Sequence, residues 1–324
     1  MKILKIFVKI ILFGGGLVVL LLLSSFIYNK YQIRSEAKEY SPPGELVQIN
    51  NNQMHVYSEG KGNRTLVFMA GHGTSCPTID FKPLWMRMSE EYRIVVVEKA
   101  GYGWSETSSS SRDIDTMLEE TRKALNLSGE DGPYILVPHS MSGLEAIYWA
   151  QKYPDEVEAI IGLDPAIPDI YLNSSSELSK KSNLYFMYLI SRIGLSRFMD
   201  KIELENNFSI LKSEELSKED KEKFIAIFHK SSVTKNMLNE VNCIQENAKK
   251  VNSNGVPVDT PMYFFISDAS DIMFSNWKEE LSKYVSNVKI GKFRSLDVGH
   301  YIHYEKSDII AQEAKAFLQE IYSE

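Results

Sequence analysis

The 324-residue sequence has few of the residue types that build disulfide frameworks and metal centres. Its two cysteines, Cys76 and Cys243, lie far apart, and it has six histidines. No His-Glu-x-x-His motif, Cys-x-x-Cys motif or P-loop occurs in it. These absences argue against the common zinc sites, a nucleotide site and a fold built on disulfides. We therefore predict that the protein uses no metal and no other cofactor.

Acidic residues are absent from the first 35 positions, where an uncharged apolar run extends from Ile10 to Tyr28 after three lysines. About 20 residues at roughly 1.5 Å each span the hydrocarbon core of a bilayer as a helix. A cleaved signal peptide usually has a shorter apolar segment, about 7 to 15 residues, and a small-x-small cleavage site. Residues 23–29 lack such a site. We predict a single-pass membrane anchor over residues 1–34 and a polar linker over residues 35–44.

The remainder of the chain is acidic. All 43 Asp and Glu residues follow position 34, whereas five of the 36 Lys and Arg residues precede or occupy it. This charge argues against nucleic acid and anionic lipid headgroups as partners. Basic residues on the two sides of the apolar run are equal in number, so the free amino group decides the orientation that we predict. The N-terminal tail is expected inside the cell and the rest of the chain outside.

A serine between an apolar run and a helical pattern is the first catalytic candidate. Residues 137–143 read Val-Pro-His-Ser-Met-Ser-Gly and precede the helical pattern Leu144 to Tyr153. This order predicts that Ser140 lies on a strand-to-helix turn, beside amides that stabilise an oxyanion. Pro138 and Ser142 replace the glycines of the usual Gly-x-Ser-x-Gly pattern. The structural alternative is that Ser140 only caps the helix.

A candidate base and two candidate acids follow the serine. His300 precedes the amphipathic segment Ile309 to Ile321 and is expected on a loop, where catalytic histidines occur. Asp268 and Asp271 follow the apolar run Pro261 to Ile266. We favour Asp271, with Asp268 as the alternative, as the carboxylate that orients the imidazole. The order serine, aspartate, histidine is the one that this type of serine turn requires.

Four other polar residues are assigned structural roles. Asp164 also follows an apolar run and serves as the acid in variants of such sites, but its place before Pro165 favours a turn cap. His139 and His303 are assigned to packing. His72 is assigned to shaping its loop through a backbone hydrogen bond.

Two glycine-containing loops complete the pattern. Residues 71–75 (Gly-His-Gly-Thr-Ser) and residues 98–105 (Glu-Lys-Ala-Gly-Tyr-Gly-Trp-Ser) each follow an apolar run. Together with the serine turn and the histidine loop, they resemble the ordered landmarks of the α/β-hydrolase family over about residues 45–324. Glu-Lys stands where the family has Asp-Arg.

The resemblance implies a catalytic triad and an oxyanion hole. The triad would consist of Ser140, His300 and Asp271, with Asp268 as the alternative acid. The oxyanion hole would use the backbone amides of Met141 and of Gly73 or Thr74.

Short apolar runs separated by helical patterns predict an α/β fold with a mostly parallel, eight-stranded sheet flanked by helices. The hydrolase core is expected over residues 45–165 and 256–324. A helical cap over residues 166–255 is inserted after the sixth strand. The predicted strands are Glu45 to Ile49, Met54 to Tyr57, Thr65 to Ala70, Arg93 to Val97, Tyr134 to Val137, Ala159 to Leu163, Pro261 to Ile266 and Val288 to Phe293.

These features predict a membrane-anchored serine hydrolase that cleaves small carboxylic esters through an acyl-enzyme intermediate. One alternative is a proline-releasing aminopeptidase acting on amides, which needs an acidic group in the cap such as Glu203, Glu205 or Glu214. Another is a catalytically silent binding protein, because Pro138 and Ser142 alter the serine motif. Dehalogenase and epoxide hydrolase chemistry is disfavoured because those relatives use an aspartate at the position of the serine.

Overall fold

An eight-stranded sheet forms the centre of the protein. The computed structural model describes residues 2–173, 177–272, 274 and 276–323. The strands are β1 Glu45–Ile49, β2 Asn52–Glu59, β3 Thr65–Met69, β4 Arg93–Glu98, β5 Tyr134–Ser140, β6 Val157–Pro165, β7 Met262–Ile266 and β8 Gly291–Ser295. Their order is β1-β2-β4-β3-β5-β6-β7-β8; β2 is antiparallel to β1 and β4, and all other pairs are parallel. The predicted sheet is confirmed.

Helices in the described residues surround this sheet and connect its strands. They are α1 Lys2–Glu39, α2 Pro77–Asp80, α3 Lys82–Met88, α4 Ile114–Leu127, α5 Ser142–Lys152, α6 Pro168–Leu172, α7 Glu177–Ile193, α8 Lys201–Asn207, α9 Lys218–Ser231, α10 Lys235–Ser253, α11 Trp277–Val285, α12 Ile302–Glu305 and α13 Ser307–Ile321. The amphipathic pattern that predicts a helix over 114–127 matches α4 at both ends.

Both faces of the sheet are covered. Side chains such as Leu118, Trp149 and Leu281 bring α4, α5 and α11 onto one face, and Trp85 and Phe317 bring α3 and α13 onto the other. Every residue of β3 and β7 is buried. Because parallel strands covered on both faces need apolar side chains on both, these strands are near-continuous apolar runs. The carboxyl ends of the parallel strands therefore form one edge at which loops can assemble a site.

The edge strand β8 begins later than the sequence predicts. Val288 was expected to start it, but its backbone N–H donates to the carbonyl of Val285 at the end of α11. The strand Gly291–Ser295 is largely exposed. An edge strand with one neighbour lacks the apolar signal that marks the central strands.

A helical segment, α6 to α10, lies between β6 and β7, at the position predicted for the cap. The helical pattern of the sequence from Tyr185 to Met199 predicts one helix, but the structure divides it. Helix α7 ends at Ile193, Gly194 has φ +84°, and a 3-10 turn follows over Leu195–Phe198. A third apolar core, which includes Trp104 from the body and Phe228 from α9, holds the cap against the body.

The N-terminal helix is longer than predicted. The expected linker over residues 35–44 is helical through Glu39, so only residues 40–44 connect α1 to β1. The helix is long and apolar enough to cross a membrane by length and composition. Its later turns pack on the cap, where the Ser25 hydroxyl donates to the carbonyl of Ile193 at 2.8 Å. Within the extended part, Glu36 accepts hydrogen bonds from Arg197 of the cap at 2.7 Å, and the linker prediction is wrong for residues 35–39.

Candidate active site

Ser140 lies at the carboxyl end of β5, on a turn into α5. Its backbone φ is +53°, in the left-handed region that non-glycine residues avoid. Met141 follows in helical conformation and Ser142 begins α5. Holding a serine in this conformation costs roughly 1–3 kcal/mol, which surrounding contacts must offset. The turn has the strand-to-helix form expected for a serine nucleophile.

Nearby small residues explain how the turn forms without the usual glycines. A Cβ atom on Gly143 would lie 2.3 Å from the carbonyl oxygen of Ala166, so this glycine allows α5 to approach the end of β6. The Ser142 hydroxyl is within 2.6 Å of the carbonyl of Met69 and 2.8 Å of that of His139. Its hydrogen bonds join the start of α5 to β3. Glycine at position 143 and serine at 142 therefore share the roles of the missing motif glycine.

The His300 side chain pairs with Asp164. Its Nδ1 is 2.6 Å from Asp164 Oδ2. Asp164 is fully buried at the end of β6, whereas the His300 side chain is 18% exposed. The imidazole thus has one nitrogen fixed by a buried carboxylate and leaves Nε2 for a reacting partner, which is the arrangement that a general base needs.

The buried carboxylate is held by further donors. Asp164 Oδ1 accepts hydrogen bonds from the backbone N–H of Ser267 at 2.9 Å and from Trp277 Nε1 at 2.8 Å. The Trp277 ring also meets the His300 ring edge-on, with centroids 5.6 Å apart. Because both carboxylate oxygens have partners, the orientation of Asp164 toward the imidazole is fixed.

The preference for Asp271, with Asp268 as the alternative, is corrected by this geometry. Asp271 is exposed and accepts the backbone N–H of His300 at 2.9 and 3.1 Å, so it contacts the loop and not the ring. Asp268 is also exposed, and its carboxylate accepts the N–H of Ser270 in a local turn. The turn-cap assignment of Asp164 is wrong as well, since that carboxylate faces the imidazole.

His139 packs beneath the candidate base, as its assignment to packing predicts. Its ring lies 4.6 Å from the His300 ring and 4.7 Å from the His303 ring. Burial, reinforced by these two histidines, lowers the pKa of His139 well below its ordinary value. The neutral ring donates from Nε2 to the carbonyl of His300 at 3.2 Å. His303 pairs instead with Asp80 at 2.8 Å, buried away from solvent.

Ser140 and His300 are not hydrogen-bonded to each other, although His139, which precedes Ser140 in the chain, packs its ring against that of His300. Within the part of the chain that the structure describes, the Ser140 hydroxyl makes no hydrogen bond to His300 Nε2. Hydrogen bonds between a nucleophile and its base are often long without substrate and shorten when substrate binds.

The loop after β3 lies over the serine turn. A Cβ on Gly71 would come within 2.6 Å of Ser140 Cβ, so only glycine allows this approach. Gly73 has φ +83° and faces open space. His72 Nε2 lies 3.1 Å from the carbonyl of Met237 on α10, and burial lowers the pKa of its ring. This contact agrees with a loop-shaping role for His72. The Thr74 N–H donates to the carbonyl of Gly71 at 3.5 Å within this loop, and the oxyanion role of the amides of Met141 and of Gly73 or Thr74 stays a prediction.

The Glu-Lys pair at the end of β4 has separate roles. Glu98 is fully buried, and its carboxylate contacts His55 Nδ1 at 2.9 Å and the N–H of Trp104 at 2.7 Å. Burial alone would raise the pKa of Glu98, but the imidazole and these hydrogen bonds outweigh it and hold the pKa below its ordinary value. A Cβ on Gly103 would lie 1.9 Å from this carboxylate. Glu98 therefore organises the loop as a structural residue.

Lys99 joins a buried acidic cluster next to Met141. Its Nζ is 3.9 Å from carboxylate oxygens of both Glu145 on α5 and Glu240 on α10. The Tyr102 hydroxyl donates to Glu240 at 2.6 Å. Lys99, the two glutamates and Met141 line part of a cavity of about 10 Å³, close to the room that one water molecule needs. Burial raises the pKa of Glu145 although Lys99 opposes the shift.

Glu145→Gln should stabilise the protein in a pH-dependent way. A carboxyl whose pKa is raised in the folded state keeps its proton to higher pH than in the unfolded chain, so stability falls as pH rises through that interval. Glutamine removes this loss and its carbonyl still accepts from the Thr121 hydroxyl, which lies 2.8 Å from Glu145. We expect a higher melting temperature at about pH 8 and little change at about pH 4. The measurement is thermal unfolding of the full-length protein in detergent.

The exposed Glu279→Gln on α11 is the control for this measurement and should shift neither melting temperature. Destabilisation by Glu145→Gln at the higher pH would show that Glu145 is ionised and stabilised by Lys99.

The cap glutamates proposed for an aminopeptidase do not reach this cluster. Glu203 and Glu214 are exposed, and Glu203 closes a capping box at the start of α8. Glu205 pairs with Lys201 on the same helix at 3.4 Å. Among the described residues, no group of three or more His, Cys, Asp or Glu side chains could hold a metal ion.

Known proteins resemble the chain in sequence and in fold. Residues 81–189 match the family model described as the alpha/beta hydrolase fold. The uncharacterized protein YbdG of Bacillus subtilis (strain 168) is 34% identical over 325 residues, which cover 99% of this chain and 98% of that protein.

Two solved structures illustrate the likeness in fold. A putative lipase from Acinetobacter baumannii has a TM-score of 0.64 at 15% identity, covering 91% of this chain and 97% of its own. An epoxide hydrolase from Vigna radiata has a TM-score of 0.62 at 19% identity, covering 85% and 97%. At these identities the likeness concerns the fold alone. The sheet, the serine turn and the sequence matches together show that the chain belongs to the α/β-hydrolase family of hydrolytic enzymes.

Proposed function

We propose that the protein is a serine hydrolase that cleaves carboxylic esters through an acyl-enzyme intermediate, with Ser140 as nucleophile, His300 as base and Asp164 as the acid. The observation that carries the proposal is the 2.6 Å pair of His300 Nδ1 and buried Asp164, together with Ser140, which is held at φ +53° and paired with Pro165 on the strand that carries Asp164. A serine hydroxyl is a weak nucleophile and needs such an oriented base.

In the first step, Ser140 Oγ attacks the ester carbonyl carbon while its proton passes to His300 Nε2. Asp164 remains ionised and stabilises the imidazolium. The negative charge on the carbonyl oxygen is stabilised by the amides of Met141 and of Gly73 or Thr74, each worth about 3–4 kcal/mol when preorganised. The tetrahedral intermediate expels the alcohol, which takes the proton from His300. Water, deprotonated by the same ring, then releases the carboxylic acid and restores Ser140.

We also propose that α1 anchors the enzyme as a single-pass membrane protein with the hydrolase body outside the cell. Support comes from the charge-free run in α1 and from the short basic tail that precedes it.

A fluorophosphonate probe tests whether the serine is activated. An activated hydroxyl attacks the phosphorus and displaces fluoride, leaving a covalent adduct, whereas an unactivated serine does not react. We expect labelling of the native full-length protein, with the adduct on Ser140 by mass spectrometry, and no labelling after heat denaturation. An unlabelled native protein would instead support the silent binding protein that the altered motif suggests. An adduct on another serine would remove Ser140 from the mechanism.

A further inference from the structure

The later half of α1 presents one continuous stripe to the cap and body. Residues less exposed than the rest of the helix recur at spacings of three and four, as one face of a helix requires. They are Leu22, Ser25, Asn29, Gln32, Ile33 and Glu36. The stripe begins inside the apolar run and continues past its end.

Specific contacts fix α1 against the turn that follows α7. Arg197 donates to Asn29 Oδ1 at 2.6 Å and to both carboxylate oxygens of Glu36 at 2.7 Å. A Cβ on Gly194 would lie 2.5 Å from Asn29 Cβ, so glycine is needed for this close approach. At the far end, Trp104 Nε1 donates to the carbonyl of Tyr40. The helix therefore leaves the membrane in a set orientation to the cap.

The position of these contacts along α1 determines how close the cap lies to the membrane. The uncharged stretch from Ile10 to Asn29 is 20 residues long and spans about 30 Å, the thickness of the hydrocarbon core. Ser25 and Asn29 belong to its last two turns. Because Ser25 bonds Ile193 and Asn29 meets Gly194, the turn after α7 lies where the helix leaves the hydrocarbon.

The cap surface on either side of that turn is apolar and exposed. Its large side chains, which we call the apolar cap face, are each at least 36% exposed and come from α7, the 3-10 turn and α8. They are Tyr185, Phe186, Leu189, Leu195, Phe198 and Ile202. Soluble proteins rarely leave so many large apolar side chains in water, and such surfaces mark contacts with proteins or membranes.

We propose that the apolar cap face lies in the headgroup layer and outer acyl region of the bilayer that α1 crosses. The cap then contacts the membrane surface directly and is not separated from it by water. The partner is the lipid bilayer because the contacts with α1 place this face at the membrane boundary. Aromatic side chains such as Tyr185 and Phe186 suit this layer, and an apolar helix face binds there by burying its side chains. The proposal rests on the membrane anchoring proposed above.

Nitroxide labels in the full-length protein, reconstituted in phosphatidylcholine vesicles, test this placement. Cys243→Ser removes the accessible native thiol, and Cys76 stays because it is buried. Four single variants then carry the label: Phe186→Cys and Phe198→Cys on the apolar cap face, Phe13→Cys in α1, and Phe293→Cys on edge strand β8. All four phenylalanines are exposed, so labelling disturbs no core. Collision with oxygen reports lipid, and collision with a nickel chelate reports water.

We expect oxygen collisions to exceed nickel collisions at positions 13, 186 and 198, and the reverse at 293. Nickel-dominated collisions at 186 or 198, with position 13 in lipid, would overturn the cap placement and leave the anchor intact. A water-exposed label at position 13 would overturn the anchor and the cap placement with it.

Discussion

Replacing Ser140 with alanine should lower kcat for short p-nitrophenyl esters by at least about 10⁴-fold. Alanine has no hydroxyl to form the acyl-enzyme, and it fits the turn because its backbone needs are close to those of serine. Residual hydrolysis would come from the oxyanion amides and from substrate binding alone. The measurement is steady-state turnover of the full-length protein, with circular dichroism to show that the fold is kept.

Ser142→Ala is the matched control because it removes a hydroxyl two residues away. Its hydroxyl lies within hydrogen-bonding distance of two backbone carbonyls and has no place in the chemistry. We expect some loss of stability but turnover within about tenfold of the unmodified enzyme. Equal activity in Ser140→Ala and the unmodified enzyme would exclude the acyl-enzyme mechanism at this residue.

Asp164→Asn should lower kcat by about 10³- to 10⁴-fold. The asparagine carbonyl would keep the hydrogen bonds from Ser267 and Trp277, so the loop geometry is preserved. Its amide N–H would then face His300 Nδ1, which places the ring proton on Nε2. A ring protonated at Nε2 cannot accept the serine proton. The same ester assay measures this loss, and it should fall on kcat.

Asp271→Asn is the comparison that distinguishes the role of Asp271 from that of Asp164. Among the described residues the Asp271 side chain accepts the backbone N–H of His300 alone, and an asparagine carbonyl still accepts it. We expect kcat to fall by less than about tenfold, because a weakened hydrogen bond costs roughly 1 kcal/mol. A larger loss in Asp271→Asn than in Asp164→Asn would reverse the assignment and return the acid to the loop after β7.

The sequence predicts the architecture well because central strands are buried on both faces. Runs such as Thr65 to Ala70 and Pro261 to Ile266 are apolar throughout, and each matches a strand of the structure to within one residue at either end. The serine turn and the histidine loop are also visible, since their order along the chain follows the order of the strands. Cap helices are less well predicted because glycine at position 194 interrupts one amphipathic pattern.

The pairing of Asp164 with His300 is not predicted because sequence does not reveal which strand end faces the imidazole. Asp164 precedes a proline, as turn-capping aspartates do, and Asp268 and Asp271 follow the next strand in the sheet. Burial distinguishes them: Asp164 has no exposed surface, whereas the other two are exposed. Asp164 directly follows the apolar run Ala159 to Leu163, whereas Ser267 precedes Asp268 after the next run, and this is the signal that indicates Asp164.

The extension of α1 was missed for a different reason. Residues 30–39 are polar and charged, which suits a solvated linker as well as a helix. Two residues on the packed face of this stretch, Gln32 and Glu36, are polar, so the sequence shows no apolar helical pattern there. The reason for that face is visible only in the structure, where Arg197 of the cap donates to Glu36. A helix stabilised by tertiary contacts with a distant part of the chain leaves little local pattern.

The proposed nucleophile and acid come from adjacent strands, where Ser140 is paired with Pro165 and its backbone carbonyl accepts the N–H of Ala166. Two of the three key side chains are thus set by one strand pairing, and only the histidine must arrive from a separate loop. The loop after β7 supplies the Ser267 amide, which donates to Asp164. We therefore expect substitutions that keep the Ser267 amide and the Trp277 indole against Asp164 to preserve turnover.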